Sequence, residues 1–275
     1  MWFFNSVIGK IFDILFLPFR GLSPWVAMIV VSFLTGLLML FIFRHTSNQE
    51  GIRRIKNKIK AHLLELRLYK DSLAQQLTSQ GKILSANFKY FSYALKPMLV
   101  MIIPVMLILI QLNLWFGSRS LDIGEEALVK VKLMEGTNPL QTDIRPEVPP
   151  GIAVETPPLR IEDEREIDWR LRATEKGVHN ILFRYHDETF TKSVAVGQNR
   201  LSKIAVLKPG KGLLEQAFNP GEKPLPKNAP IESVEITYPG QRMNLFGWRI
   251  HWLIAYFGLS IVFGFAFRGV IKVEI

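Results

Sequence analysis

The sequence predicts an α-helical membrane protein with an inserted all-β domain. The parts expected are three transmembrane helices, an amphipathic N-terminal helix, a cytoplasmic helical hairpin and an extracytoplasmic Ig-like sandwich. Three observations predict this. Apolar residues make up 48% of the 275, and they gather in three blocks of near-spanning length. The net charge of +10 is concentrated in the loop between the first two blocks. The long segment between the second and third blocks is polar, rich in proline and glycine, and alternates at period 2.

Residues 1–23 read as a helix lying on the outer leaflet. Ser6, Lys10, Asp13 and Arg20 draw a narrow polar stripe along an apolar stretch that Pro18 and Gly21 end. No small-residue cleavage site follows, which argues against a cleaved signal peptide. The competing reading, a short fourth span, would invert the topology. The first span is assigned to 24–44, with Trp25–Phe43 an unbroken apolar run close to the ~20 residues a bilayer needs. The second is assigned to 97–117. The third, 246–268, carries Arg249 and His251, both placed in its first turn within reach of the interface, with Trp248 and Trp252 as anchors.

Between Arg44 and Lys96 there are 11 Lys/Arg and 3 Asp/Glu, a net +8; between Gly117 and Phe246 there are 18 and 19, a net −1. A basic loop of this length sets orientation. It places 45–96 in the cytoplasm, the N-terminus and the 118–245 domain outside, and the tail 269–275 inside. No organelle presequence is visible, and the expected location is the bacterial inner membrane.

Within the loop, Ile52, Ile55, Ile59, Leu63, Leu66, Leu73 and Leu77 form one helical stripe. Arg53, Arg54, Lys56, Lys58 and Lys60 occupy the opposite face. Ser79-Gln80-Gly81 reads as a stop, and Ile83–Leu95 as a second helix with Ile83, Leu84, Phe88, Phe91 and Leu95 turned inward. Two roles are open to the basic face. Juxtamembrane cations bind anionic lipid and fix topology; the same cations could meet a ribosome or a nascent, unfolded membrane segment. No aromatic residues interleave with them, which argues against specific nucleic-acid readout.

In residues 118–245, Ile167, Trp169, Leu171 and Ala173, then His179, Ile181, Phe183 and Tyr185, then Phe190, Val194 and Val196 alternate as three successive antiparallel strands, with turns at Gly177 and at His186-Asp187. Leu128–Met134, Ile152–Glu155, Ile204–Leu207 and Ser233–Thr237 add about four more. Such a set of short strands predicts an Ig-like sandwich with Trp169 in its core. The prolines of "RPEVPPG" and "NPGEKPLPKNAP" belong at edges or in loops.

Chemistry is largely excluded. There is no cysteine, the five histidines have no ligand spacing, and no nucleotide-binding P-loop or nucleophile–base pair is present. The Glu162-Asp163-Glu164-Glu166 cluster reads as a solvated turn, since Arg160 and Arg165 interrupt it. No metal, cofactor or enzymatic activity is expected. The polar residues inside the spans are Ser32, Thr35, Gln111, Asn113, His251, Tyr256 and Ser260. They serve either as interhelical hydrogen bonds or as the lining of a shallow polar groove.

The stretches "LKPMLVMIIPVMLILIQLNLWF" and "FGWRIHWLIAYFGLSIVFGFAFRGVIKV", with the basic hairpin between spans, resemble the YidC/Oxa/Alb insertase superfamily. The closest likeness is to its three-span branch of archaeal insertase-like proteins and the third subunit of the ER membrane protein complex. The resemblance covers residues 1–116 and 246–275. It implies a nucleotide-independent insertase or insertion chaperone with a groove lined by Ser32, Thr35, Arg44, Gln111, Asn113, Tyr256 and Ser260. Arg44 is the only candidate for the groove arginine that the family carries, and the outer insert is far larger than in three-span relatives. The alternative is a three-span scaffold whose sandwich docks an envelope protein.

Overall fold

The computed structural model describes residues 2–68, 73–185, 188–198, 201–226, 228–245 and 247–274. They divide into two compact units, Met1–Ala27 with Ile108–Trp252, and Met28–Leu107 with Leu253–Ile275.

The first unit is built around nine strands: β1 (Glu126–Leu133), β2 (Arg145–Glu147), β3 (Ile152–Val154), β4 (Leu159–Ile161), β5 (Glu166–Ala173), β6 (Gly177–Tyr185), β7 (Glu188–Val196), β8 (Leu207–Pro209) and β9 (Ile231–Ile236). They form two sheets, one ordered β3-β5-β1-β9-β8 with β4 also on β5, the other β2-β6-β7. Alternate residues of each sheet point into one shared core, as the two-residue period of a strand requires. Val129, Val131 and Leu133 of β1, Ile167, Trp169 and Leu171 of β5, and Ile181 and Phe183 of β6 are all buried there. Trp169 meets Phe183 across the sandwich at 6.0 Å between ring centroids. The expected two-layer β domain and its core tryptophan are therefore present.

Its pairing differs from the expectation of three successive antiparallel strands. β6 and β7 form a hairpin from Gly177↔Val196 to Tyr185↔Glu188, but β5 pairs with β1, β3 and β4 in the other sheet. The turn residues His186 and Asp187 lie outside the described residues. Ile204 is a buried loop residue rather than the start of a strand. Pro146 and Pro209 fall on β2 and β8, each at the edge of its sheet, where a missing N–H costs no ladder bond.

A helix docks in the same unit. α1 (Trp2–Phe16) runs into a 3-10 turn, Leu17–Phe19. Its buried Phe16 packs against Trp115 and Phe116 at 4.9 and 5.8 Å, and Asp13 pairs with Lys203 Nζ at 2.9 Å. The polar stripe read from sequence is thus partly consumed by protein contacts: Arg20 also lies 5.5 Å over the Trp115 ring. The face left open is apolar, with Val7, Ile11, Ile14 and Leu17 exposed.

The second unit is helical. α2 (Pro24–Thr46) begins in the first unit and continues here, followed by α3 (Gln49–Leu68) and α4 (Leu73–Phe116). A short α5 (Leu213–Phe218) and a hairpin of β10 (Arg242–Leu245) with β11 (Trp248–His251) belong to the first unit, and α6 (Trp252–Ile271) completes the second. Among the described residues, three helices are long and apolar enough to cross a membrane: Pro24–Thr46, Gln75–Phe116 and Trp252–Ile271.

Two boundaries are corrected. Ser79-Gln80-Gly81 does not stop a helix. A terminating glycine adopts a left-handed conformation, whereas Gly81 is not among the glycines with positive φ, and α4 runs 44 residues through it and through Pro97 and Pro104. The second hairpin helix and the second span are one element. Nor do Arg249 and His251 occupy the first turn of the last span. They pair with Asn244 and Arg242 across β11 and β10, and the helix starts only at Trp252.

Candidate functional site

The helical unit contains a cleft of about 310 Å³ walled by α2, α4 and α6. Its back is a close parallel pairing of α2 with α6. A Cβ at Gly36 would stand 3.0 Å from the Ser260 carbonyl oxygen and 3.2 Å from Gly264 N, so a larger residue would press the two helices apart, and small residues favour this close approach. Phe33 packs edge-on to Phe263 and Phe267 at 5.4 and 5.3 Å. Ser32 Oγ donates to the Tyr256 carbonyl at 3.4 Å. At the far end Arg44 Nη1 donates to the Ile271 carbonyl at 2.9 Å, satisfying one of the last carbonyls of α6 and meeting its negative dipole end. α4 contributes Met101 and Val105 to the opposite wall.

Thr35, Tyr256 and Ser260 line this cleft among apolar side chains. Ser260 Oγ is buried without a hydrogen-bond partner, whereas the Tyr256 hydroxyl is set against Thr35. An unpaired buried hydroxyl is rare and calls for an explanation. Here it belongs to a residue lining a cleft.

The sequence-derived groove residues therefore separate. Thr35, Tyr256 and Ser260 come together. Ser32 is wholly buried in the α2–α6 seam. Arg44 ties helix ends and does not line the cleft. Gln111 and Asn113 belong to the first unit. Gln111 is buried, its Oε1 near the Cα of Gly9 on α1 (3.8 Å from an ideal Cβ), and Asn113 is exposed. Sequence alone could not sort these, because a polar residue in an apolar run has the same local pattern whichever neighbour it meets.

α3 and the first turns of α4 lie side by side, linked by Ser79 Oγ donating to Glu65 Oε2 at 3.1 Å. Glu65 also pairs with His62 at 3.0 Å, and these hydrogen bonds, His62 first, hold its carboxyl below the usual range. Arg53, Arg54, Lys58 and Lys60 are exposed, and Lys56 is half-buried 3.5 Å from Glu274. Arg54 pairs with Glu50 one turn earlier. Arg54, Lys58, Lys82 and Lys89 line a crevice between the two helices. The apolar stripe is only half covered. Ile52 and Ile55 are buried, but Leu63 and Leu77 are exposed, as are Leu84, Phe88, Phe91 and Leu95, which sequence had turned inward. Leu73 lies outside the residues whose side chains are described. The arm thus offers cations and uncovered apolar side chains together.

One cluster escaped sequence reasoning. Lys192 of β7 is fully buried, its Nζ 3.3 Å from Glu222 Oε2 and donating to the Ala205 carbonyl. Lys208 Nζ stands 4.0 Å from the same carboxylate. Glu222 Oε1 accepts from Ser193 N at 3.0 Å, and Tyr238 Oη accepts from Ala195 N at 3.0 Å. Burial, opposed by Glu222, pushes the Lys192 ammonium down to about 8; burial raises the Tyr238 hydroxyl. A signal was present: Lys192 sits between Phe190 and Val194 on the inward register of a strand. Among the described residues no group of acidic, histidine or cysteine side chains could hold a metal.

Comparison with protein-family models, curated proteins and solved structures returns no match.

Proposed function

We propose that the chain is a nucleotide-independent membrane-protein insertase or insertion chaperone of the YidC/Oxa type. Its three apolar helices would cross a bacterial inner membrane with the basic α3–α4 arm in the cytoplasm and the sandwich, read as Ig-like, outside. The observation that carries the reading is the apolar cleft between α2, α4 and α6, with Thr35, Tyr256 and Ser260 among its lining residues. A polar segment crossing hydrocarbon lacks partners for its backbone, at several kcal/mol per group. The hydroxyls just behind that lining would be the nearest partners for them once the cleft opens around a substrate. The arm supports the same reading, since a hydrophobic incoming chain and an anionic surface are both met by its exposed leucines, phenylalanines and lysines. The apolar open faces of α1 and of α5, where Leu213 and Leu214 are exposed, fit a sandwich unit resting on the bilayer.

A scaffold role draws on a different observation: the sandwich has its own complete core and is large enough to dock an envelope protein. Reconstitution into proteoliposomes with a single-span substrate tests the choice. Insertion should proceed without nucleotide and fall at least tenfold in the Tyr256→Phe/Ser260→Ala double variant. Undiminished insertion by that variant removes the cleft from the mechanism. No insertion by the wild-type chain favours the scaffold.

A further inference from the structure

The β10–β11 hairpin is two-faced. Residues directly opposite or two apart share a face, so the register places Arg242, Asn244, Arg249 and His251 on one side and Met243, Leu245, Trp248 and Ile250 on the other. Met243 is buried at the base of the apolar side. Towards the tip that side comes into the open, with Leu245 39% and Trp248 78% exposed. Asn244 Oδ1 accepts from Gly247 N at 2.9 Å, and Gly247 takes the positive φ of +91° that the tight turn demands.

The basic side of the hairpin faces a cleft of about 1000 Å³ whose other wall is Ser23, Pro24 and Trp25 at the N-terminus of α2. The Trp25 indole donates to the Asn244 carbonyl at 2.7 Å, fixing the hairpin to that turn. Arg119, Arg242 and Arg249 line the cleft, and no carboxylate does. Arg119 is held by Glu125 at 2.8 Å. The side chains of Arg242 and Arg249 make no hydrogen bond or ion pair among the described residues.

Chain continuity gives this place its level. α2 begins at Pro24, α4 ends at Phe116 three residues before Arg119, and α6 begins at Trp252 directly after the hairpin. If these three helices span a bilayer, as proposed above and as this inference requires, the same end of each emerges here, at the headgroup layer.

The geometry points to a phospholipid site: the hairpin inserts its Leu245–Trp248 tip into the bilayer interface while Arg242 and Arg249, beside the positive N-terminus of α2, hold a headgroup phosphate. Indole rings favour that depth, guanidinium groups favour bidentate phosphate contact, and a helix N-terminus adds positive potential. An open apolar tip beside two unpaired cations fits an amphiphile better than a protein surface.

The absence of cysteine makes single spin labels clean. The full chain is reconstituted in phosphatidylglycerol/phosphatidylcholine nanodiscs with a label at Leu245→Cys, and separately at Leu38→Cys on α2, and each is read for collision with oxygen and with a water-soluble nickel complex. Both labels should favour oxygen. In Arg242→Gln/Arg249→Gln the nickel accessibility of the Leu245 label should rise by about fivefold for each of the two lost cation–headgroup contacts, with the Leu38 label unchanged. A Leu38 label in water overturns the spanning reading itself. A Leu38 label in lipid with a Leu245 label in water overturns this inference alone. A Leu245 label in lipid that ignores the arginine changes overturns the phosphate role.

Discussion

The two units solve opposite solvent problems with the same residue types. The sandwich turns valine, isoleucine and tryptophan inward and leaves most charges outside, and the wholly buried Lys192 is paired with Glu222. The helical unit leaves large side chains such as Ile103 and Val262 more than 60% exposed and buries hydroxyls between its helices, that of Ser260 without a partner. Water drives the first arrangement through the hydrophobic effect. The second fits apolar surroundings, since lipid gives no reason to hide a leucine.

That contrast can be broken at its strongest point first. Residues 118–245, expressed alone, should melt cooperatively in water, and Trp169→Ala should lower their stability by about 3–5 kcal/mol. Chemical denaturation of the fragment measures it; a near-neutral change would mean the two sheets do not depend on that ring. Lys192→Met comes next. It strands Glu222 in the interior, an expected loss of about 3 kcal/mol, and Lys192→Met/Glu222→Leu should recover most of it in the same titration. A double variant as unstable as the single one would show that the pair holds more than its own charge.

The pH dependence sharpens the same point. The folded Lys192 titrates near 8, below its unfolded value, so between the two values the unfolded chain binds more protons and stability rises with pH. The gain should run from about pH 8 toward 10, be absent in Lys192→Met, and be opposed above ~10, where the raised Tyr238 favours its protonated form only in the folded state. Urea midpoints across that range check it.

The helical unit should respond in the opposite sense to a polar deletion. Ser260→Ala removes an unpaired buried hydroxyl and should leave stability in detergent equal or raised by about 1 kcal/mol, while insertion activity falls. Loss of stability would mean that Ser260 has a partner in the folded protein and the cleft is a sealed seam. The smallest effect is expected at the arm. Changing Arg53, Arg54, Lys58 and Lys60 to Gln should leave the thermal midpoint of the full chain within about a degree, since exposed charges contribute little. Association with anionic vesicles should weaken and lose part of its salt dependence.

What the sequence determined by itself was whatever a single element records along its own length. Apolar runs long enough to span, the charge asymmetry around them, the alternation of β5, β6 and β7, and the inward place of Trp169 are all local patterns, and each follows from the period of a helix or strand. What only the tertiary structure decided were questions of partnership. Gly81 and Pro97 look like breaks, yet α4 passes through both, because a glycine ends a helix only by turning left-handed and this one does not. β5 and β6 are neighbours in sequence but lie in different sheets, since closing a sandwich requires the chain to cross from one layer to the other. Arg249 and His251 join a hairpin because Arg242 and Asn244 lie opposite to pair with them. Ser32, Thr35 and Ser260 are alike on paper, and the chain distinguishes them by what each meets: the carbonyl of Tyr256, the hydroxyl of Tyr256, or no hydrogen-bonding partner. The last of these outcomes depends on atoms more than two hundred residues away, and no window along the sequence contains them.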